Sequence, residues 1–124
     1  MSQYWKRICL AAVVAHLLHA LYVYRVAPSP QVVADPVGIA MMFGFYGAAG
    51  LWCAKGMFDA NPLLGGMLVG CVGAVLSTVL QFPIMPPGEA SVHVPPVIDH
   101  GVKIAGGAFG ALAALFLDWR RRHT

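Results

Sequence analysis

Charge is what this sequence has least of. Its 124 residues include eight Lys and Arg and five Asp and Glu, together 10%, where a soluble domain carries about 25%. That is too little to coat a water-facing surface. A soluble helical bundle, the one serious competitor, would need a polar face on each helix, which the second and third apolar runs lack. Cysteine is scarce too. Cys9, Cys53 and Cys71 each stand alone in an apolar run, without a C-x-x-C pair or a disulfide-like spacing, and read as small packing residues. Catalytic signatures are missing: there is no nucleophile with a base at a known spacing, no phosphate loop, no H-E-x-x-H and no intramembrane Asp pair. The chain therefore reads as a non-enzyme. Apolar and polar residues do not alternate over long stretches, which argues against a membrane β-barrel.

What is present is hydrophobicity, at 59% of residues and a mean hydropathy of +0.72. It falls into four continuous runs: Ile8 to Val26, Val37 to Ala54, Leu63 to Ile84 and Val97 to Leu117. Each is near the roughly 20 residues needed to cross about 30 Å of hydrocarbon. Asp35-Pro36 and Asn61-Pro62 are start signals, an N-cap followed by Pro at the first helical position. Pro28, Pro30, Pro83, Pro86 and Pro87 act as stops. The expectation is an all-α integral membrane protein forming one domain, a four-transmembrane-helix bundle with helices over about 8–26, 36–54, 62–84 and 97–118.

The net charge of +3 gathers at the ends of the runs, which points to a membrane surface and not to nucleic acid. With four crossings, Lys6, Arg7, Lys55 and Arg120 to Arg122 fall on one side, and only Arg25 and Lys103 fall toward the other. The positive-inside rule then gives an N-in/C-in protein, both termini cytoplasmic, as in a bacterial inner membrane. Tyr4, Trp5, Trp52 and Trp119 suit the inner boundary, where amphipathic rings gather.

Fourteen glycines supply helix-packing stripes. Gly66, Gly70 and Ala74 recur at four-residue steps in the third run, Gly106, Gly110 and Ala114 in the fourth, and Gly44 and Ala48 in the second. Small residues let backbones approach closely. The stripes serve either packing inside the bundle or association with other membrane subunits or a second copy.

Two polar constellations are candidates for function. His16 and His19 lie three apart and share a helical face, about 13 to 18 Å above Arg7 at 1.5 Å per residue. Ionisable groups at such depth are functional candidates by default. They are candidate ligands of a haem, chlorin, quinone or metal, with a structural hydrogen bond as the bland alternative. Cys9, Ala12 and Val23 extend that face, while Leu10, Leu17, Leu21 and Tyr24 form the opposite one. Ala12-Val-Val-Ala-His16 resembles, over five residues, the Ala-x-x-x-His pattern at pigment-ligating histidines of bacterial antenna helices; the resemblance implies room for a flat ring beside His16.

The second constellation is a polar pocket at the outer end of the fourth helix: Asp99, His100 and Lys103, with Glu89 and His93 from the loop above. Asp99 and Lys103 are four apart in the favourable acid-first order, and Lys103 is expected to snorkel toward Asp99. Ser77, Thr78 and Gln81 add polarity at similar depth. Three roles follow. The first is a non-catalytic structural or accessory subunit of a larger membrane complex. The second is a small oligomeric transporter or binder using the outer-half pocket. The third is a cofactor-ligating subunit working through His16 and His19, with the cofactor itself left unknown.

Overall fold

The structure, a computed structural model, describes residues 2–22, 36–80 and 96–124. Four helices make up nearly all of it: α1 (Ser2–Leu21), α2 (Pro36–Lys55), α3 (Pro62–Val79) and α4 (Pro96–Arg122). There is no strand among the described residues. Three of the helices are long and apolar enough to cross a membrane, over Pro36–Lys55, Pro62–Val79 and Val97–Arg122. The remaining helix, α1, carries Lys6, Arg7, His16 and His19, which lower its mean hydropathy.

Helix starts follow the proline signals: Pro36, Pro62 and Pro96 each open a helix. At α3 the start is fully built. Asn61 has an extended backbone, and its side-chain oxygen accepts a hydrogen bond from the Leu64 N–H at 3.0 Å. One of the orphan donors of the first turn is thereby satisfied. The corresponding cap at Asp35 lies outside the described residues, as do the expected extensions over 23–26 and 81–84. Two ends differ from expectation. α1 begins at Ser2, not near Ile8, because Lys6 and Arg7 are good helix formers and continue the turn pattern. α4 runs on to Arg122, past Asp118, because Asp118 pairs with Arg121 at 3.0 Å and Arg122 at 2.9 Å within the last turns.

Glycine decides how the helices meet. A Cβ at Gly66 would stand 2.6 Å from Ala111 Cβ, one at Gly70 2.5 Å from Ile104 Cα, and one at Gly106 2.7 Å from the Phe43 carbonyl oxygen. At Gly110 it would meet the Leu51 nitrogen at 2.8 Å. These contacts hold α4 against both α2 and α3. The stripe on α2 has a different phase from the sequence reading. Gly44 has nothing within 4 Å of its would-be Cβ, whereas one at Gly50 would stand 2.8 Å from Gly107 Cα. The spacing of small residues on α2 permits either phase. Gly47 and Gly50 make the contact because that is where α4 offers Gly106, Gly107 and Gly110.

α1 packs against α2 and α3, burying Ile8, Ala11, Ala12 and Ala15 with Met42, Tyr46 and Cys53 of α2 and Val69 of α3. Leu10, Leu17 and Leu21 point outward, at 54, 60 and 57% exposure. Cys9, assigned to the buried face by its spacing from His16, is exposed. The buried stripe runs instead through Ile8, Ala11, Ala12, Ala15 and His19. Arg7 ties the start of α1 to the end of α2. Its Nε donates to the Cys53 carbonyl at 3.1 Å and its Nη2 to that of Trp52, while its guanidinium lies 3.8 Å from the Trp52 ring centroid. Terminal carbonyls that lack an intrahelical partner are satisfied by this cation, which also suits the negative end of the helix dipole.

Candidate functional site

The site grows from α4. Lys103 sits two turns into the helix, on the face that the glycines press against α2 and α3, so its side chain cannot leave the bundle. It is fully buried. A lone ammonium there would be very costly, so it needs partners. It has two: Asp99 Oδ2 at 2.7 Å, one turn earlier on the same helix, and the Ser77 hydroxyl of α3. The snorkelling expected of Lys103 toward Asp99 is therefore an inward turn that binds α4 to α3.

Asp99 is the half-buried end of the pair, its side chain 16% exposed. His100 Nε2 lies 3.8 Å from Asp99 Oδ2 and 3.3 Å from the Thr78 hydroxyl. Thr78 in turn donates to the Ala74 carbonyl at 3.0 Å. His100 is partly exposed, so these groups form a graded series: an open imidazole, a half-buried carboxylate, and a fully buried ammonium.

On the inner side of Lys103 the series continues. Its Nζ lies 5.9 Å from the centroid of Tyr46 on α2. Tyr46 is fully buried, and its hydroxyl has no hydrogen-bond partner among the described residues. Gly73 of α3 makes room for that ring: any Cβ there would collide with Tyr46. His16 and His19 of α1 are buried at 6 and 3% exposure. α2, α3 and α4 thus contribute to one polar centre inside an apolar bundle, and α1 adds two further buried polar side chains to that bundle.

Of the residues singled out from the sequence, Asp99, His100 and Lys103 come together, and His16 and His19 are buried on α1. Glu89 and His93 lie outside the described residues. Gly66, Gly70, Gly106 and Gly110 line helix contacts. Tyr46 was missed, although the signal was there: it is the one side-chain hydroxyl in the apolar run Val37 to Ala54. Ser77 was noted only as outer-half polarity. Among the described residues no group of three or more His, Cys, Asp or Glu is arranged to hold a metal ion.

Chemically, the centre offers a neutralised charge pair, a hydroxyl donor without a partner, and two imidazoles. The unpaired Tyr46 hydroxyl is the group in it that is free to donate a hydrogen bond. No known protein family, no curated protein and no solved structure matches this chain.

Proposed function

We propose that the chain is a small membrane binder or transporter that takes up a small ligand bearing a carboxylate or carbonyl oxygen into this polar centre from the His100 side. In this reading all four helices cross the bilayer and both termini are cytoplasmic. The hydrogen bonds from Arg7 to the last carbonyls of α2 support that orientation, because they set the Lys6 and Arg7 end of α1 beside Lys55. Lys6, Arg7, Lys55 and Arg120 to Arg122 then lie on one side, with Lys103 toward the other, as the positive-inside rule favours.

One observation carries the reading: the buried Tyr46 hydroxyl lacks a partner beside a fully buried Lys103. A buried hydroxyl left unpaired costs about 1–3 kcal/mol, and a ligand oxygen would recover that cost. Asp99 and Ser77 keep the ammonium oriented, and the imidazoles supply further donors or acceptors at the inner end. The test is titration of the purified protein with acetate, lactate and benzoate, against methylamine as control. Binding of at least one carboxylate is expected, weakened about tenfold or more in Tyr46→Phe, a change that leaves packing intact. If none of the three binds better than methylamine, or Tyr46→Phe binds as well as the parent, the reading falls.

An accessory-subunit role is the second reading. It is favoured by the apolar cleft between α1 and α2, about 320 Å³ and lined by Ala11, Ala15, Ala48 and Ala49, where a neighbouring subunit could insert side chains. Ala48→Trp would fill the cleft. A subunit role predicts that partners co-purifying in mild detergent are lost in that variant; an unchanged pattern would reject it.

A further inference from the structure

The face of the molecule where α2 and α4 meet has features that the polar centre does not use. The two helices run in the same direction and touch through Gly47 and Gly110. Outside that contact lies an apolar cleft of about 220 Å³ along Gly44, Gly47 and Ala48 of α2 and Gly110 and Ala113 of α4. Its upper end is closed by Phe43 and Phe109, whose ring centroids are 5.6 Å apart. Below it, on the same helix pair, lies a second cavity of about 370 Å³. Lys55, Phe58, Leu117, Asp118 and Arg121 line this one.

The register of the two helices is matched. Phe43 and Lys55, like Phe109 and Arg121, are twelve positions apart, about 18 Å at 1.5 Å per residue. One leaflet holds about 15 Å of hydrocarbon. The feature is therefore as long as one acyl chain plus a phosphate: apolar where the chain would lie and basic where the phosphate would lie. The carboxylate in the lower cavity is already committed, since Asp118 pairs with Arg121 and Arg122. Lys55 has no salt bridge among the described residues, so the cavity keeps an excess of positive charge.

We propose that this groove binds one anionic diacyl phospholipid from the leaflet on the Lys55 side, one acyl chain in the apolar cleft and the phosphate between Lys55 and Arg121. Basic pockets between membrane helices suit such headgroups. A protein helix is a poorer occupant. The lower cavity lined by Lys55 and Arg121 suits a phosphate, whereas the apolar face of a membrane helix would leave its positive charge unmatched. The proposal rests on the chain being a membrane protein and is independent of the ligand assigned to the polar centre.

Native mass spectrometry of the delipidated protein with phosphatidylglycerol and phosphatidylcholine of identical chains tests it. Phosphatidylglycerol should be retained at least fivefold better. The double variant Lys55→Gln with Arg121→Gln should lose that preference while keeping its helix content and melting temperature. Gly44→Leu, placed where a side chain meets only open space, should reduce binding of both lipids. Inorganic phosphate and glycerol phosphate, which lack chains, should not compete at millimolar concentration. Equal retention of the two lipids, a preference surviving in the double variant, or competition by free phosphate would each overturn the proposal. So would a shift of Gly44→Leu from dimer to monomer, because the groove would then belong to a second copy.

Discussion

Removing the charge from Asp99 separates two accounts of the buried Lys103. Asp99→Asn keeps the shape and leaves an oxygen to accept from the ammonium, but it deletes the negative charge 2.7 Å from Nζ. If the contact is worth no more than an ordinary hydrogen bond between membrane helices, the change costs about 0.6 kcal/mol. If it neutralises a charge that cannot reach water, the cost is about 3 kcal/mol, the lower end for breaking a buried pair, because the Asp99 side chain retains 16% exposure. Lys103 is fully buried and Ser77 offers it only a neutral oxygen, so the larger figure is expected. That is roughly a hundredfold in the unfolding equilibrium, at tenfold per 1.4 kcal/mol. Adding Lys103→Met should recover most of the loss, since replacing both members of a buried pair with apolar groups is often neutral. Unfolding in mixed micelles of mild detergent and SDS, followed by circular dichroism, measures all three. A cost below about 1 kcal/mol for Asp99→Asn, or a double variant no more stable than the single one, would refute the argument.

Two further outcomes follow from the packing and the charge pattern. Gly66→Leu drives a side chain into Ala111 and the Gly107 backbone and should destabilise the bundle by about 2–3 kcal/mol through overpacking, whereas Gly44→Leu should leave the same detergent unfolding curve unchanged; similar losses at both would mean α2 is rotated relative to this structure. Reporter fusions after Thr124 and between Lys55 and Asn61 should be active in the cytoplasm, with a fusion near Glu89 inactive there, and an externally active C-terminal reporter would rule out four crossings.

The four helices were legible because the signals that make them are local. Three apolar runs of spanning length, each opened by a proline, need no knowledge of neighbours. The pairing of Asp99 with Lys103 was legible for the same reason, being one turn apart on one helix. What could not be read was rotation. Gly44 and Gly47 are equally small, and only the position of α4 decides which of them is covered. Cys9 likewise fits the spacing of the buried face of α1, but Ile8 occupies it. Tyr46 and Ser77 escaped as partners of Lys103 because they reach it from other helices, and a single sequence carries no record of such encounters.

Close glycine-to-glycine contact joins α2 to α4, helices that are not neighbours in the chain. A ribosome delivers α2 long before α4, and the surface of Gly47 and Gly50 has nothing to grip in the interval. Locking is therefore a late event, waiting until the last helix has been made and has come alongside the second. Until then α2 and α3 can only associate loosely, with Tyr46 seated against Gly73 and Ser77 still awaiting Lys103. A nascent chain stalled before α4 would leave Gly47 and Gly50 uncovered, alongside Gly44, which stays open in the finished fold.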